Sequence, residues 1–290
     1  MIQQNETNQL PLQQHFATLN ISMKLLYDLS VQELPPTFEE HLQSLSALLN
    51  RYLQYDNKLL RTEEESGPLE YVKAGIYEIL NLWVQKYEED LSPYIGQFVE
   101  TSWTLLTTVG PETKYDILAS RALNFLSSIG ALGQHAEIFN NEDTLAQVIE
   151  KVILPNLSLR ESDVELFEDE PIEFTRRDLE GTDSDTRRRA ATDFLRQLMQ
   201  QFQELVTTVV TRYIDHYLQE YSTDRTSNWK SKDTAVYLFC SIAAVGTVTS
   251  GQGVKTTNPF VNIIDFFQKN IAQDLISESS HVLLQVDAIK

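Results

Sequence analysis

The chain has 290 residues, with 42 acidic against 23 basic side chains and a formal net charge of −19 at pH 7. That charge repels phosphate backbones and argues against nucleic-acid binding, while 42% hydrophobic residues are too many for a disordered chain. Ten glycines and nine prolines are few for a β sandwich that turns every ~10 residues, and the single cysteine, Cys240, excludes an internal disulfide or a cysteine-based zinc cluster.

Apolar residues recur at helical spacing, and the helices come in pairs. Leu12, Phe16, Leu19, Met23 and Leu26 share one face; after the break at Pro35-Pro36, Phe38, Leu42, Leu45, Leu49 and Tyr52 share another. A second pair reads Leu69, Val72, Ile76, Leu80, Trp83, Tyr87, then Ile95, Phe98, Ser102, Leu106, Val109, with Pro68 and Pro93 near the expected first turns. The third is Leu118, Ala122, Phe125, Ile129, then Leu145, Val148, Val152, ended by Pro155. In the fourth, Ala191, Leu195, Leu198, Phe202 precede Val206, Val210, Ile214, Leu218, with a second stripe at Leu205, Val209, Tyr213, Tyr217. The fifth joins Ala235, Leu238, Ile242, Val245 to Phe260, Ile264, Phe267, Ile271, Leu275, and a further segment opens near His281.

First helices are thus expected near residues 10, 68, 113, 184, 229 and 281. The shortest intervals are about 45 residues, the period of HEAT-type helical hairpins (~40–47), and the longer ones fit the same unit with insertions. The expected fold is an all-α α-α superhelix, a HEAT-repeat solenoid of about five hairpins plus a partial sixth. Residues 1–154 hold three hairpins, 155–183 an acidic insertion loop, and 184–290 two further hairpins and the start of another, all one continuous solenoid. Such a stack offers a surface for gripping another protein and no enclosed pocket. Its end at Lys290 falls inside a repeat, as in a piece of a longer array.

Eleven acids lie between Glu161 and Asp185: Glu161, Asp163, Glu165, Glu168, Asp169, Glu170, Glu173, Asp178, Glu180, Asp183 and Asp185. Only Arg176 and Arg177 oppose them, and Arg187, Arg188 and Arg189 come next. Two readings stand. In one this is a solvated loop in which Asp183 or Asp185 caps a helix and the arginines form ion pairs. In the other the acids form a docking strip for a basic partner.

Other chemistry finds little support. The segment from Gly246 to Thr256 has Gln252 where a phosphate-binding loop needs lysine, and reads as a Gly-rich linker. His15, His41, His135, His216 and His281 are scattered without metal-ligand spacing. Cys240, beside Tyr237, Leu238, Phe239 and Ile242, reads as a small hydrophobe with no base near it. Asp178 and Glu180 lack a pocket to serve as an acid/base pair, and Arg187–Arg189 is too short for a localisation signal. Trp83, Trp103 and Trp229 read as core anchors. No catalytic residue, cofactor or metal site is expected, and the chain is not expected to be an enzyme.

The start, Met1 to Glu6, is polar and unlike a secretory signal, and the apolar run from Ala235 to Val248 is shorter than the ~18–20 residues of a membrane span. An intracellular protein in the cytosol or nucleus is expected.

The stretch FTRRDLEGTDSDTRRRAA, Phe174 to Ala191, resembles the signature insertion of the CAS-type exportins, the importin-α re-exporters of the karyopherin-β (importin-β) family. Further likeness lies in Asp56–Leu60, Gln85–Glu89, Lys114–Asp116, Glu150–Asn156 and Asn228–Asp233, and it runs from about Leu26 to Lys290. The resemblance implies a nuclear export receptor, without enzymatic activity, that carries importin-α from nucleus to cytoplasm with Ran-GTP. It also implies contact with nuclear pore components, no nucleic-acid partner and no membrane insertion. By that likeness the chain is a middle section lacking the family's N-terminal repeats and C-terminal arch. On its own it is expected to bind Ran-GTP weakly. Carried over, the segment from Glu161 to Asp185 with Arg187, Arg188 and Arg189 faces inward, near Ran and cargo, and importin-α's basic autoinhibitory arm suits an acidic strip. The alternative is a HEAT-repeat scaffold for another assembly, without Ran dependence.

Overall fold

The computed structural model describes residues 7–32, 36–177, 186–244, 256–277 and 280–289. Most of them are helical, with no strand among the described residues and only an isolated bridge between Ala244 and Thr257. In chain order the helices are α1 (Gln9–Gln32), α2 (Leu42–Gln54), α3 (Pro68–Lys86), α4 (Glu88–Thr108), α5 (Asp116–Ala131), α6 (Glu142–Val148), α7 (Glu161–Asp169), α8 (Pro171–Thr175), α9 (Arg187–Gln201), α10 (Gln203–Thr223), α11 (Trp229–Ala243), α12 (Ile263–Phe266) and α13 (Val282–Ile289), with short helical turns between some of them. The expected first helices begin at Gln9, Pro68, Asp116, Arg187, Trp229 and Val282, close to the positions the periodicity gives.

The chain forms two compact units. The first comprises Met1–Ile129 and Asp185–Ala190, the second Gly130–Ser184 and Ala191–Lys290.

In the first unit α1 packs on α3, and α2 on α4, so successive hairpins meet like against like. Each buries the face its 3–4 spacing defines: Leu12, Phe16, Met23 and Leu26 on α1, then Val72, Ile76, Leu80 and Trp83 on α3. Helix α3 starts at Pro68, whose missing N–H costs nothing there, and the Gly67 N–H donates to Glu70 Oε2 at 2.9 Å. A Cβ on Gly67 would stand 2.8 Å from that carboxylate oxygen and 3.0 Å from the Leu60 carbonyl, so the close approach needs glycine.

The end of α1 is closed by side chains of α3 and the residue just after it. Trp83 Nε1 donates to Ser30 Oγ at 3.1 Å, Tyr87 donates to the Ser30 carbonyl at 3.2 Å, and Lys86 donates to the carbonyls of Val31 and Gln32. Ser30→Ala, which leaves the buried indole N–H unpaired, is expected to lower stability by about 1–2 kcal/mol, read as a shift in urea midpoint. An unchanged midpoint would mean that the indole finds another acceptor.

In the second unit α10 packs on α11, with Val206, Val210, Ile214, Leu238 and Ile242 buried. Asn258, 1% exposed, ties them together: its amide donates to Thr207 Oγ1 at 2.9 Å and the Ile242 carbonyl at 2.8 Å, and its carbonyl accepts from Gln203 Nε2 and the Phe260 N–H.

Several expectations are corrected. Pro93 lies inside α4, which starts at Glu88; it is on the exposed side, where the carbonyl it leaves unpaired can meet water. Pro155 does not end its helix. A π turn over Ile149–Ile153 widens the helix ahead of it, the chain continues as Leu154–Leu157, and Asn156 Nδ2 takes up the Val152 carbonyl at 2.7 Å. The second helix of the fifth pair is short. Phe266 of α12 stacks on Phe239 at 3.6 Å, Phe260, Ile264, Phe267 and Leu275 are exposed, and a π turn over Phe267–Ile271 follows α12. Cys240 sits on the exposed side of α11. Trp83 is a core anchor, but Trp103 and Trp229 are only half-buried. The Gly-rich segment from Gly246 to Lys255 lies outside the described residues.

Candidate functional site

The acidic segment is a helical hairpin over most of its described length. Arg160 and Asp163 start α7 with a reciprocal clasp: Asp163 accepts the Arg160 backbone N–H at 2.9 Å and a forked guanidinium contact at 3.0 Å. Pro171 then occupies the first position of α8, where its fixed φ suits a helix start.

The hairpin is anchored by apolar residues set among the acids. Phe167 and Phe174 meet edge to face at 5.4 Å, and Leu159, Phe174 and Leu283 form a small core against which Leu166 and Trp229 pack. Trp229 stacks on His281 at 3.7 Å, with ring planes 5° apart. Burial lowers the His281 pKa, with the Glu168 carboxylate raising it and Lys230 lowering it further. Lys230 in turn reaches Glu161 at 2.7 Å.

The acids therefore fall into two sets. Glu161, Asp163 and Glu173 have basic neighbours in Lys230, Arg160 and Arg176. Glu165, Glu168, Asp169 and Glu170 are exposed on α7 and at its end, with no ion pair or hydrogen bond from their side chains among the described residues. Arg176 is exposed and Arg177 half-buried. Asp178, Glu180, Asp183 and Asp185 lie outside the described residues, and with them the expectation that Asp183 or Asp185 caps a helix. The cap seen at α9 is Thr186, whose hydroxyl oxygen accepts the Arg189 N–H at 3.3 Å.

The next three arginines are not equivalent. Arg187 is 3% exposed, with Nε 2.7 Å from Asp116, Nη1 donating to the Gly110 carbonyl at 2.8 Å and Nη2 to the Glu112 carbonyl at 2.9 Å. Its guanidinium is held by these three partners inside the first unit. Arg188 is half-buried and Arg189 exposed.

Sequence reasoning read the segment by its charge and missed Leu159, Leu166, Phe167, Phe174 and Leu283, while Trp229, read as a core anchor, packs against them half-buried. The readable signal was the pair Leu166-Phe167 and the later Phe174, at spacings that one helix and a turn bring together. Among the described residues no group of three or more His, Cys, Asp or Glu side chains is arranged to hold a metal, and no helix is long and apolar enough to cross a membrane.

The Cse1 family model matches residues 1–290. The chain is 43% identical over 290 residues to the importin alpha re-exporter of Saccharomyces cerevisiae, covering 99% of this chain and 30% of that protein. It is 42% identical over 279 residues to exportin-2 of Xenopus laevis and 41% to exportin-2 of Homo sapiens, in both cases 95% of this chain and 29% of the relative. The chain thus spans about a third of the length of the curated relatives it matches. Among solved structures it superposes on the exportin Cse1 in its cargo-free, cytoplasmic state with a TM-score of 0.96 at 43% identity, over 99% of this chain and 32% of that one. The fold class is the all-α HEAT-repeat solenoid that the periodicity leads one to expect.

Proposed function

We propose, from the premise that this chain belongs to the Cse1 family, that it is a segment of a nuclear export receptor carrying importin-α from nucleus to cytoplasm. The transport complex depends on Ran-GTP, passes the pore by contact with its components, and involves no catalysis by this chain. The receptor shuttles between nucleus and cytoplasm.

The observation that carries the reading is the α7–α8 hairpin. Four carboxylates, Glu165, Glu168, Asp169 and Glu170, stand exposed on a base anchored by aromatic packing, while the neighbouring acids are matched by local cations. A rigid acidic face of this kind attracts a basic segment and sets orientation and on-rate more than raw affinity. Glu161, Asp163 and Glu173 hold the hairpin in shape, and Arg176, Arg177 and Arg189 flank it.

The test uses the full-length exporter containing this segment. Replacing Glu165, Glu168, Asp169 and Glu170 together by lysine is expected to reduce retained importin-α in the presence of Ran-GTP by about tenfold, with helix content by circular dichroism unchanged. Undiminished ternary assembly by that folded variant would remove the role given to the hairpin. Partner binding indifferent to the nucleotide on Ran would speak instead for an assembly scaffold.

A further inference from the structure

Neither arm of the acidic hairpin is long enough to hold its own shape. Helix α7 has 9 residues and α8 has 5, against the ~12–15 at which an isolated helix is even marginal in water. Glu165 stands three residues from Glu168 and four from Asp169, like-charge spacings that weaken α7 further. The arrangement of the four exposed carboxylates therefore depends on what holds the hairpin from outside.

Two stretches far along the chain do so. Leu283 of α13, 2% exposed, packs with Leu159 and Phe174, and Trp229 of α11 packs against the same cluster. His281 lies flat on the Trp229 indole, 3.7 Å away, and its Nδ1 accepts the Leu283 N–H at 3.3 Å. That bond satisfies one of the free amide groups at the start of α13 and ties the ring to the leucine. Helix α13 also packs on α11, so ring, cap and leucine form one seat. We propose, on the reading of the hairpin as an importin-α contact, that His281 and Leu283 are positioning residues for the acidic face. They hold α7 and α8 from the buried side and set Glu165, Glu168, Asp169 and Glu170 toward a basic protein segment.

A positioning role differs from ordinary core packing in what its loss does. A loosened hairpin keeps every charge, so its attraction for a basic segment survives while the orientation of the acids does not. The loss is therefore smaller than that from reversing the charges, and it disappears once there are no acids left to orient.

The experiment is a double-mutant cycle in the full-length exporter, read as importin-α retained with Ran-GTP. His281→Ala removes the stacked ring and the cap acceptor from a half-buried site and is expected to lower retention about threefold. Leu283→Ala is expected to cost at least as much, and Leu283→Met, which refills the core, to stay within about twofold of the unaltered protein. In the variant whose Glu165, Glu168, Asp169 and Glu170 are replaced by lysine, adding His281→Ala is expected to change retention by less than about 1.5-fold. Hydrogen exchange over residues 161–175 is expected to quicken in His281→Ala while α10 is unchanged. Undiminished retention in both alanine variants overturns the proposal and leaves the role of the hairpin standing. An equal loss on both backgrounds also overturns it, because that marks a general loss of fold. Undiminished retention in the four-lysine variant removes the importin-α contact itself, and the positioning role with it.

Discussion

Asp274→Ala is expected to destabilise the second unit by about 3–5 kcal/mol, because it strands a buried ammonium. Lys232 and Asp274 are 7% and 6% exposed, with Nζ and Oδ2 2.5 Å apart. The Ser280 hydroxyl donates to the other carboxylate oxygen at 2.9 Å, and Lys232 Nζ stands 4.8 Å from the centre of the Tyr221 ring. Both charges have left water and, among the described residues, each is paired with the other, so deleting one exposes the desolvation cost of the survivor. Lys232→Met with Asp274→Leu removes both charges together and is expected to recover most of the loss. Because a repeat chain need not unfold in one step, hydrogen exchange resolved to peptides of α10 and α11 is the suitable measurement. A single-mutant loss below about 1 kcal/mol would mean that water reaches the pair.

Arg187→Met is expected to cost the first unit a comparable amount, about 3–5 kcal/mol, since it leaves Asp116 without its cation and two carbonyls without donors. Arg189→Met, two residues on and exposed, is expected to stay within about 0.5 kcal/mol. The contrast distinguishes a structural guanidinium from a surface one in a run that looks uniform in sequence. Equal effects at the two positions would contradict the buried geometry.

That contrast shows what the sequence could carry. The start of each first helix was legible because a 3–4 apolar spacing and caps such as Pro68 are local signals. The family was legible from the run Phe174 to Ala191, now joined by likeness along the whole chain. Charge, in contrast, was read as exposure. Arg187 and Lys232 are buried because acceptors distant in sequence reach them, and no local pattern reports that. The π turns at Ile149–Ile153 and Phe267–Ile271 were equally hidden, since one extra residue in a turn leaves the apolar spacing almost intact while rotating every later side chain of the helix. In the acidic segment, seven acids before Arg176 masked the two phenylalanines that fold it.

The closure of α1 by Trp83, Lys86 and Tyr87 bears on how such chains can be cut and recombined. The stop for one helix is written in the next repeat, so a repeat is not a self-sufficient cassette. A crossover between residues 32 and 68 that brings in a foreign second repeat inherits a ragged helix end unless the donor supplies equivalent side chains at those three positions. Gene-shuffling libraries of these arrays should therefore yield more ordered products when breakpoints fall after Tyr87 than when they fall in the turn that punctuates the sequence most visibly.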